Sequence, residues 1–310
     1  MFCLSRVQFF KQEGNLNRPF MAAPETVNQK MFSIIMATYN CGQKVENTLQ
    51  SIFSQNKELF ELIVLDGAST DDTLDYIKNY ETDLTLISER DAGVYYAFNK
   101  GIDLATGKYI YFIGAGDCLK PNILEQIKEF LPQENPGFVY GNCYFVKSKV
   151  YNGKEFTSTL FIRDNLCQQG IFYHRTIFDI VGKYDLRYKI FADWFFNLKC
   201  FMHDGVAKRY INYVIADYEE GGISAEINRD PVFVKEFPLF VKKHFGIYNY
   251  FLCKAFLKEP YIFNFIYFRK YSLLFWYLVY NYSFPKYLAS FAKSYVPGYR
   301  YLKEAIKNKN

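Results

Sequence analysis

Polar side chains follow four apolar runs in the first 120 residues, and each group carries oxygen or nitrogen atoms suited to binding a ligand. These groups are Thr38 with Asn40, then Asp66, then Glu89 with Asp91, and finally Asp117. Each has an ordinary structural explanation too, because Asp66-Gly67 is typical of a turn and Asp117 could cap a helix before Pro121. Gly93 and Gly101 could be helix-boundary glycines. Four groups in succession nevertheless favour one shared binding edge.

The apolar runs themselves predict four buried strands, at 32–37, 59–65, 84–88 and 109–113. The stretches between and after them predict helices at 45–53, 71–80, 93–104 and 121–130, with Thr70 or Asp71 able to cap the second. This alternation predicts an α/β fold with a mostly parallel sheet, flanked by helices on both faces. Ligands of such sheets bind beyond the carboxyl ends of the strands, where the four polar groups fall.

Five motifs give these positions a family resemblance. They are A-T-Y-N (37–40), L-D-G-A-S-T-D-D-T (65–73), S-E-R-D-A-G-V-Y-Y-A-F-N-K-G (88–101), A-T-G-K-Y-I-Y-F-I-G-A-G-D (105–117) and F-A-D-W-F-F-N (191–197). In this order they resemble family-2 glycosyltransferases of the GT-A fold, especially bacterial enzymes that build colanic-acid-like and capsular polysaccharides. The resemblance covers about residues 32–225, and the third motif is the most discriminating.

The resemblance implies a donor site for a nucleotide-diphosphate sugar, UDP-linked by default. Thr38 and Asp66 would hold the nucleobase and ribose, and Asp91 would line the same pocket with Arg90 beside it. Asn99 and Lys100 could contact the donor or be exposed helix residues. The remaining expected donor-site residues are Tyr39, Asn40, Gly67 and Gly116.

Asp117 stands where the family presents its metal-binding carboxylate. A divalent Mn or Mg ion there would bridge the diphosphate and neutralise charge on the leaving nucleotide. The usual D-x-D motif is replaced by Gly114-Ala115-Gly116 before Asp117. This departure weakens the metal requirement, although magnesium is generally held by only one or two protein carboxylates plus substrate phosphates.

Asp193 is the candidate catalytic base. The resemblance implies inverting transfer, in which one carboxylate takes the proton of the acceptor hydroxyl, and a positioned base contributes roughly 10²–10⁴-fold. The glutamate of the family's E-D pair is Ala192 here. The structural alternative is that Asp193 only caps the helix that begins with Trp194.

Two further segments are expected near the site on the resemblance. His174 lies in a stretch that would border the acceptor or the diphosphate, although a lone histidine is more often simply packed. Gly221-Gly222-Ile223-Ser224 would be a flexible segment able to close over the donor.

The resemblance and the composition together imply three parts in the 310 residues: an N-terminal extension at 1–30, a GT-A domain at 31–225 and a C-terminal helical region at 226–310. Residues 1–30 lack an apolar core of signal-peptide length and are expected to be poorly ordered. The seven cysteines form no C-x-x-C pair, which favours free thiols in a reducing compartment. A cytoplasmic protein is therefore expected.

The C-terminal region is basic and aromatic. From Val241 onward it has twelve basic residues and only two acidic ones, within a chain of net charge +5. Its longest uncharged run, 271–285, is shorter than the ~20 residues that span a bilayer. The composition favours peripheral contact with anionic lipid at the inner face of the cell membrane, which suits a polyprenyl-diphosphate-linked glycan acceptor. Alternatively, the aromatics pack on the GT-A domain; single-stranded nucleic acid ranks last, because no RNA-binding motif is present.

The leading hypothesis is a hexosyl- or N-acetylhexosaminyltransferase. Two alternatives remain: a non-catalytic member that binds sugar or a partner, and a nucleotidyltransferase with a related sheet. The second is disfavoured because A-T-Y-N-C-G-Q-K (37–44) has neither the G-x-G nor the arginine of such enzymes.

Overall fold

A computed structural model describes residues 29–132, 136–222 and 230–258. The strands are β1 (Phe32–Thr38), β2 (Phe60–Asp66), β3 (Thr85–Ser88), β4 (Tyr109–Gly114), β5 (Cys118–Leu119), β6 (Gly137–Phe145), β7 (Val150–Asn152), β8 (Ile171–His174) and β9 (Ala207–Tyr218). The helices are α1 (Lys44–Phe53), α2 (Thr73–Lys78), α3 (Val94–Leu104), α4 (Ile123–Ile127), α5 (Ile177–Ile180), α6 (Ala192–Met202) and α7 (Pro231–Lys258).

All nine strands of the described ranges join one sheet, in the order β3-β2-β1-β4-β8-β6-β9-β5, with β7 on β6. The first four strands pair in parallel, as the strand–helix alternation predicts. Beyond β4 the pairing is mixed, because β8 runs antiparallel to both β4 and β6, whereas β6 and β9 are parallel. The sequence predicts a mostly parallel sheet, and the structure has parallel pairing in its first four strands and mixed pairing in the rest.

The parallel strands are apolar along their whole length because both faces of the sheet are covered. On β1, Ile34 and Met36 belong to the same buried cluster as Val45, Leu49 and Ile52 of α1. Ile35 points to the opposite face and packs in the cluster that contains Phe98 and Ile102 of α3. Helix α3 therefore lies directly under the strands whose carboxyl ends carry the polar groups.

The predicted helices form, with shorter bounds at two places. The helix expected at 71–80 spans only Thr73–Lys78. The side chain of its N-cap residue Asp72 makes no capping hydrogen bond, whereas Asp71 Oδ1 accepts from Thr73 N (3.1 Å). The helix expected through Phe130 ends at Ile127 and continues as a 3₁₀ turn, Lys128–Phe130. Both differences lie at helix ends, where sequence signals are weakest.

Helix α7 packs its aromatic side chains on the sheet domain. Phe233 and Phe237 are buried and lie 5.5 and 5.8 Å from the ring of Trp194 in α6, and α7 kinks at Gly246, where φ is +84°. For residues 231–257, this packing agrees with the alternative, given in the sequence analysis, that the aromatic side chains of the C-terminal region pack on the GT-A domain. The rest of the basic region, residues 1–28 of the N-terminal extension, and Ile223 and Ser224 of the Gly221–Ser224 segment lie outside the described residues, so the three-part division stays a prediction.

No helix among the described residues is both long enough and apolar enough to cross a bilayer.

Candidate functional site

The carboxyl ends of three neighbouring strands meet at Asp66. In the register of the sheet, Asp66 of β2 lies between Thr38 of β1 and Ser88 of β3. Its Oδ1 accepts hydrogen bonds from Thr38 Oγ1 (3.0 Å) and Ser69 Oγ (2.5 Å), and its Oδ2 accepts from Ser69 N (2.9 Å) and Ser88 Oγ (2.7 Å). Burial opposes ionisation, but the donors on Ser69, Ser88 and Thr38 outweigh it and hold the pKa of Asp66 below its ordinary value.

These contacts refine the role expected for Asp66. A carboxylate offers about four acceptor positions, and all four are occupied here by the protein's own donors. A nucleobase N–H could be accepted only if the hydroxyl of Ser69, Ser88 or Thr38 turned away. Asp66 therefore organises the edge of the site, and a direct contact with the donor stays a prediction.

The loop after β1 is tied to the loop after β2. Asn40 N donates to Ser69 Oγ (2.9 Å), and Asn40 Oδ1 accepts from Thr70 N (2.8 Å). Tyr39 is 66% exposed and packs over Gly67, where an added Cβ would lie 3.2 Å from the tyrosine ring. The glycine therefore allows the exposed ring to lie close to the β2 loop.

A pocket of about 490 Å³ opens beside Asp66. Its volume falls in the range of small-molecule sites. Four of the predicted donor-site residues line it: Asp66, Arg90, Asp91 and Lys100. Lys100 pairs with Glu89 (2.5 Å), which also lines the pocket. The remaining lining residues are Leu65, Ile87, Ala92, Tyr96 and Ala97.

Asn99, the neighbour of Lys100, has a structural partner. Its Nδ2 donates to the Tyr184 carbonyl (2.8 Å), and its Oδ1 accepts from Tyr184 N (3.0 Å). Both polar atoms of the amide thus hold α3 against the segment before α6. A contact between Asn99 and the donor stays a prediction.

Asp117 lies just beyond β4 and is almost fully buried. Its Oδ1 accepts from Glu219 N (2.8 Å), and its Oδ2 accepts from Gln169 Nε2 (2.7 Å) and more weakly from Gly114 N (3.3 Å). Burial raises the pKa of Asp117 to about 6, and the nearby charge of Glu219 acts in the same direction. Gly116, with φ of +103°, donates its N–H to Thr48 Oγ1 (2.9 Å) and packs against Glu219.

Asp117 fits a metal held by one protein carboxylate. Three of its roughly four acceptor positions are used, which leaves one on Oδ1 for a cation. In the described part of the chain, no group of three or more His, Cys, Asp or Glu side chains could hold a metal ion. The remaining ligands would therefore have to come from the donor's phosphates and water, as is usual for magnesium.

Asp193 opens α6 and is held from two sides. Tyr95 of α3 lies 2.6 Å from its Oδ1, and Asn165 Nδ2 donates to its Oδ2 (2.8 Å). Burial raises the pKa of Asp193, and the hydrogen bonds from Tyr95 and Asn165 oppose this effect. A carboxylate with a raised pKa suits proton transfer near neutral pH.

The structure corrects the expected place of His174. Because β8 runs antiparallel to β4, His174 pairs with Tyr109 at the amino end of β4, whereas Asp117 follows its carboxyl end. Its Nδ1 lies 2.8 Å from Thr176 Oγ1, and its ring packs edge-on against Tyr109. Burial and the charges of Lys108 and Arg175 lower its pKa. His174 therefore lies at the amino-terminal end of β4, whereas Asp117 and the other polar groups that follow the first four strands lie at the carboxyl ends of those strands.

The sequence analysis assigned no role to three residues that contact the candidate carboxylates: Tyr95, Asn165 and Gln169. The segment 165–169 links the two candidate carboxylates, because Asn165 contacts Asp193 and Gln169 contacts Asp117. The only available sequence signal was a cluster of amide side chains, N-L-C-Q-Q, which by itself indicates no chemistry.

Comparison with known proteins agrees with this geometry. The family described as glycosyl transferase family 2 matches residues 33–195. A PGL/p-HBAD biosynthesis glycosyltransferase of Mycobacterium tuberculosis is 39% identical over 227 residues, covering 71% of this chain and 86% of the relative. The poly(ribitol-phosphate) beta-N-acetylglucosaminyltransferase TarP of Staphylococcus aureus is 23% identical, covering 64% of this chain and 67% of its own.

Solved structures share the fold. Staphylococcus aureus TarS 1–349, in complex with UDP-GlcNAc, superposes with a TM-score of 0.57 at 18% identity, covering 78% of this chain and 75% of that one. A mannosyltransferase from Pyrobaculum calidifontis, in complex with GDP-Man and Mn²⁺, gives 0.55 at 19% identity, covering 77% and 73%. The fold is the GT-A fold of glycosyltransferases, as the motifs predict.

The chain belongs to glycosyltransferase family 2 and is a glycosyltransferase, which confirms the class that its five motifs indicate. The narrower likeness to colanic-acid and capsular enzymes stays a prediction.

Proposed function

We propose that this glycosyltransferase moves a hexose or N-acetylhexosamine, with inversion, from a UDP-sugar to a glycan or lipid-linked glycan in cell-surface polysaccharide synthesis. The observation that carries the proposal is that a nucleotide-sized pocket lies at the strand ends and that Asp193, a partly buried carboxylate held by two side chains, lies across α3 from it.

The donor would occupy the pocket beside Asp66, with Arg90 and Lys100 near its phosphates. Two basic side chains in a pocket that also contains apolar Leu65 and Ile87 suit a ligand with an anionic part and a flat, less polar part. UDP is the proposed nucleotide, supported by the shared fold of TarS in complex with UDP and with UDP-GlcNAc.

Asp117 would hold a divalent cation through Oδ1. The ion would neutralise charge that builds on the leaving nucleoside diphosphate. The protein's own part is to fix the carboxylate, which Gln169, Gly114 and the Glu219 amide do with three hydrogen bonds.

Asp193 would act as the general base. As the acceptor oxygen bonds to the anomeric carbon, its proton passes to Asp193, and the bond from that carbon to the diphosphate breaks with its electron pair on the nucleotide. The buried setting keeps Asp193 a stronger base than a solvated aspartate.

The acceptor and the place of work are proposed from the basic tail. Cationic and aromatic residues beyond 258 would bring the enzyme to anionic lipid at the inner face of the cell membrane, where polyprenyl-diphosphate-linked glycans are displayed.

An Asp193→Asn variant distinguishes the proposed role of Asp193 as the base from a role in donor binding. Transfer, followed as nucleotide released from a panel of UDP- and GDP-sugars with acceptor present, should fall about 10²–10⁴-fold. Calorimetric binding of UDP should be retained. Asp179→Asn, an exposed aspartate in the first turn of α5, is the matched control and should transfer normally. Normal transfer by Asp193→Asn would refute the base assignment.

The proposed metal-binding role of Asp117 is tested by measuring UDP affinity with and without Mn²⁺. UDP affinity of the wild-type chain should rise on adding Mn²⁺, and Asp117→Asn should remove this rise. No nucleotide binding by the wild type with or without Mn²⁺ would instead favour a non-catalytic family member.

A further inference from the structure

The hydroxyl of Tyr95 has two acceptors within short hydrogen-bond distance. It lies 2.5 Å from the Ile190 carbonyl oxygen and 2.6 Å from Asp193 Oδ1, and the tyrosine is buried in the first turn of α3. A phenol has a single proton to donate. Only one of the two oxygens can receive it at a time, so the second contact needs a proton from elsewhere.

The protonation state of Asp193 resolves this conflict. When Asp193 is ionised, Tyr95 donates to it. When Asp193 is protonated at Oδ1, the carboxyl donates to the Tyr95 oxygen and the Tyr95 hydroxyl donates to the Ile190 carbonyl. Only the protonated state places a proton in both short contacts. In the ionised state the contact between the Tyr95 and Ile190 oxygens has no proton and has to lengthen.

The other oxygen of Asp193 is held by a directed chain of amides. Asn165 Nδ2 donates to Asp193 Oδ2, Asn165 Oδ1 accepts from Asn197 Nδ2 (3.3 Å), and Asn197 Oδ1 accepts from the Tyr173 hydroxyl (2.6 Å). Asn197 is fully buried. Flipping the Asn165 amide would place oxygen against oxygen and nitrogen against nitrogen, so Asn165 is fixed as a donor to Asp193.

Among the described residues, three buried tyrosines interact with Asp193: Tyr95 on α3, Tyr173 on β8 and Tyr184 before α6. Burial raises the pKa of each of them, and the charge of Asp193 adds to the rise. All three are therefore neutral phenols at physiological pH, and the group in this cluster that changes charge is Asp193.

We propose that Tyr95 and Asn165 are positioning residues for Asp193: they orient the ionised carboxylate, and the Tyr95 proton moves between Asp193 and the Ile190 carbonyl as the base takes up and releases a proton. This inference rests on the proposed role of Asp193 as the base. The acceptor's proton resides on Asp193 after transfer and leaves to water with the product. Tyr95 only turns its hydroxyl and neither gains nor loses a proton over the cycle.

A pH profile of Tyr95→Phe tests the inference. Removing a donor to a carboxylate raises the carboxylate's pKa, so the base is ionised only at higher pH. The acidic limb of the kcat/KM profile should move up by about one to two pH units, and the rate should recover towards wild type at high pH. A structural defect alone would lower the rate at every pH.

Two further variants complete the test. Tyr109→Phe removes another buried tyrosine hydroxyl, one that donates to the Pro132 carbonyl far from Asp193, and its profile should match wild type. Asn165→Ala removes the second donor and should shift the acidic limb in the same direction as Tyr95→Phe. UDP binding and thermal unfolding show whether each variant folds. If Tyr95→Phe does not fold, the pH profile of Asn165→Ala alone tests the positioning role.

Unshifted acidic limbs in folded Tyr95→Phe and Asn165→Ala enzymes would overturn the positioning role. That result differs from failure of the proposed function, which would appear as full activity in Asp193→Asn.

Discussion

Asp66 shows how hydrogen bonds can keep a buried carboxylate ionised. Thr38, Ser69 and Ser88 supply the hydrogen bonds that compensate for its lost hydration. They come from the ends of β1 and β3 and from the loop after β2, so the same contacts that keep Asp66 charged also fix the relative positions of the three strand ends.

Thr38→Val should expose this coupling. Valine keeps the shape but removes a donor to a charged group, so the free energy of unfolding at pH 7 should fall by about 1.5–3 kcal/mol. Because the pKa of Asp66 is lowered from 3.8 on folding, its contribution is present above that value and lost as pH falls through the lower folded value. The difference between variant and wild type in denaturant unfolding should therefore shrink in acid.

Thr85→Val, an exposed threonine at the start of edge strand β3, is the control and should change stability by less than about 0.5 kcal/mol. An equal loss at pH 7 and pH 3 for Thr38→Val would contradict the role assigned to the Asp66 charge.

Residue types at strand ends allowed part of the site to be predicted. Asp66 and Asp91 line one pocket, as their positions after parallel strands indicate, and Arg90 and Lys100 line it too, as the family resemblance implies. The contacts of Asp193 could not be predicted, because they join Tyr95 and Asn165 to it across 98 and 28 residues and use neutral side chains. His174 was misplaced because no local pattern tells whether a short apolar strand such as β8 enters the sheet parallel or antiparallel.

At the level of elements, the first four strands and the helices among them followed from hydrophobic periodicity, whereas strands β5 to β9 and their pairing were not predicted. The first four strands are each followed by a helix or turn that returns the chain to the same edge, which forces parallel pairing. Strands β6 to β9 lack that regular alternation, and their order in the sheet depends on packing between distant segments.

Close packing of α3 on β1 gives a prediction at this level. A Cβ on Gly101 would lie 2.4 Å from Cγ2 of Ile35, too close for any side chain. Gly101→Ala should lower the free energy of unfolding by about 1–3 kcal/mol, although alanine favours a helix by about 1 kcal/mol over glycine. It should also lower kcat, because α3 carries Tyr95.

Gly222→Ala is the control for the unfolding measurement, since a Cβ there meets no heavy atom of the described residues within 4 Å. Denaturant unfolding of both variants and a transfer assay of Gly101→Ala check the prediction. A stabilised Gly101→Ala enzyme would show that helix propensity dominates and that α3 has room to move.

For the whole molecule, charge is concentrated at the C-terminal end, and a full chain should bind anionic vesicles. Each basic residue near such a surface contributes about 1 kcal/mol, and the binding should weaken as salt is raised. In co-sedimentation, binding should fall more than tenfold when four tail residues are changed to glutamine: Lys286, Lys293, Arg300 and Lys303.

The matched control changes four exposed lysines of the sheet domain to glutamine: Lys57, Lys78, Lys147 and Lys149. This variant should keep most of its vesicle binding. Equal binding of wild type to zwitterionic and anionic vesicles would contradict an electrostatic role for the tail.

Helix α3 has a consequence for changing what the enzyme transfers. Tyr96, Ala97 and Lys100 line the pocket beside Asp66, which is the proposed donor site, while the adjacent Tyr95 contacts Asp193. Engineering sugar preference through α3 therefore risks a loss of turnover that has nothing to do with the new sugar. Arg90 and Asp91, which line the pocket from the loop before α3, are the safer starting positions for respecification.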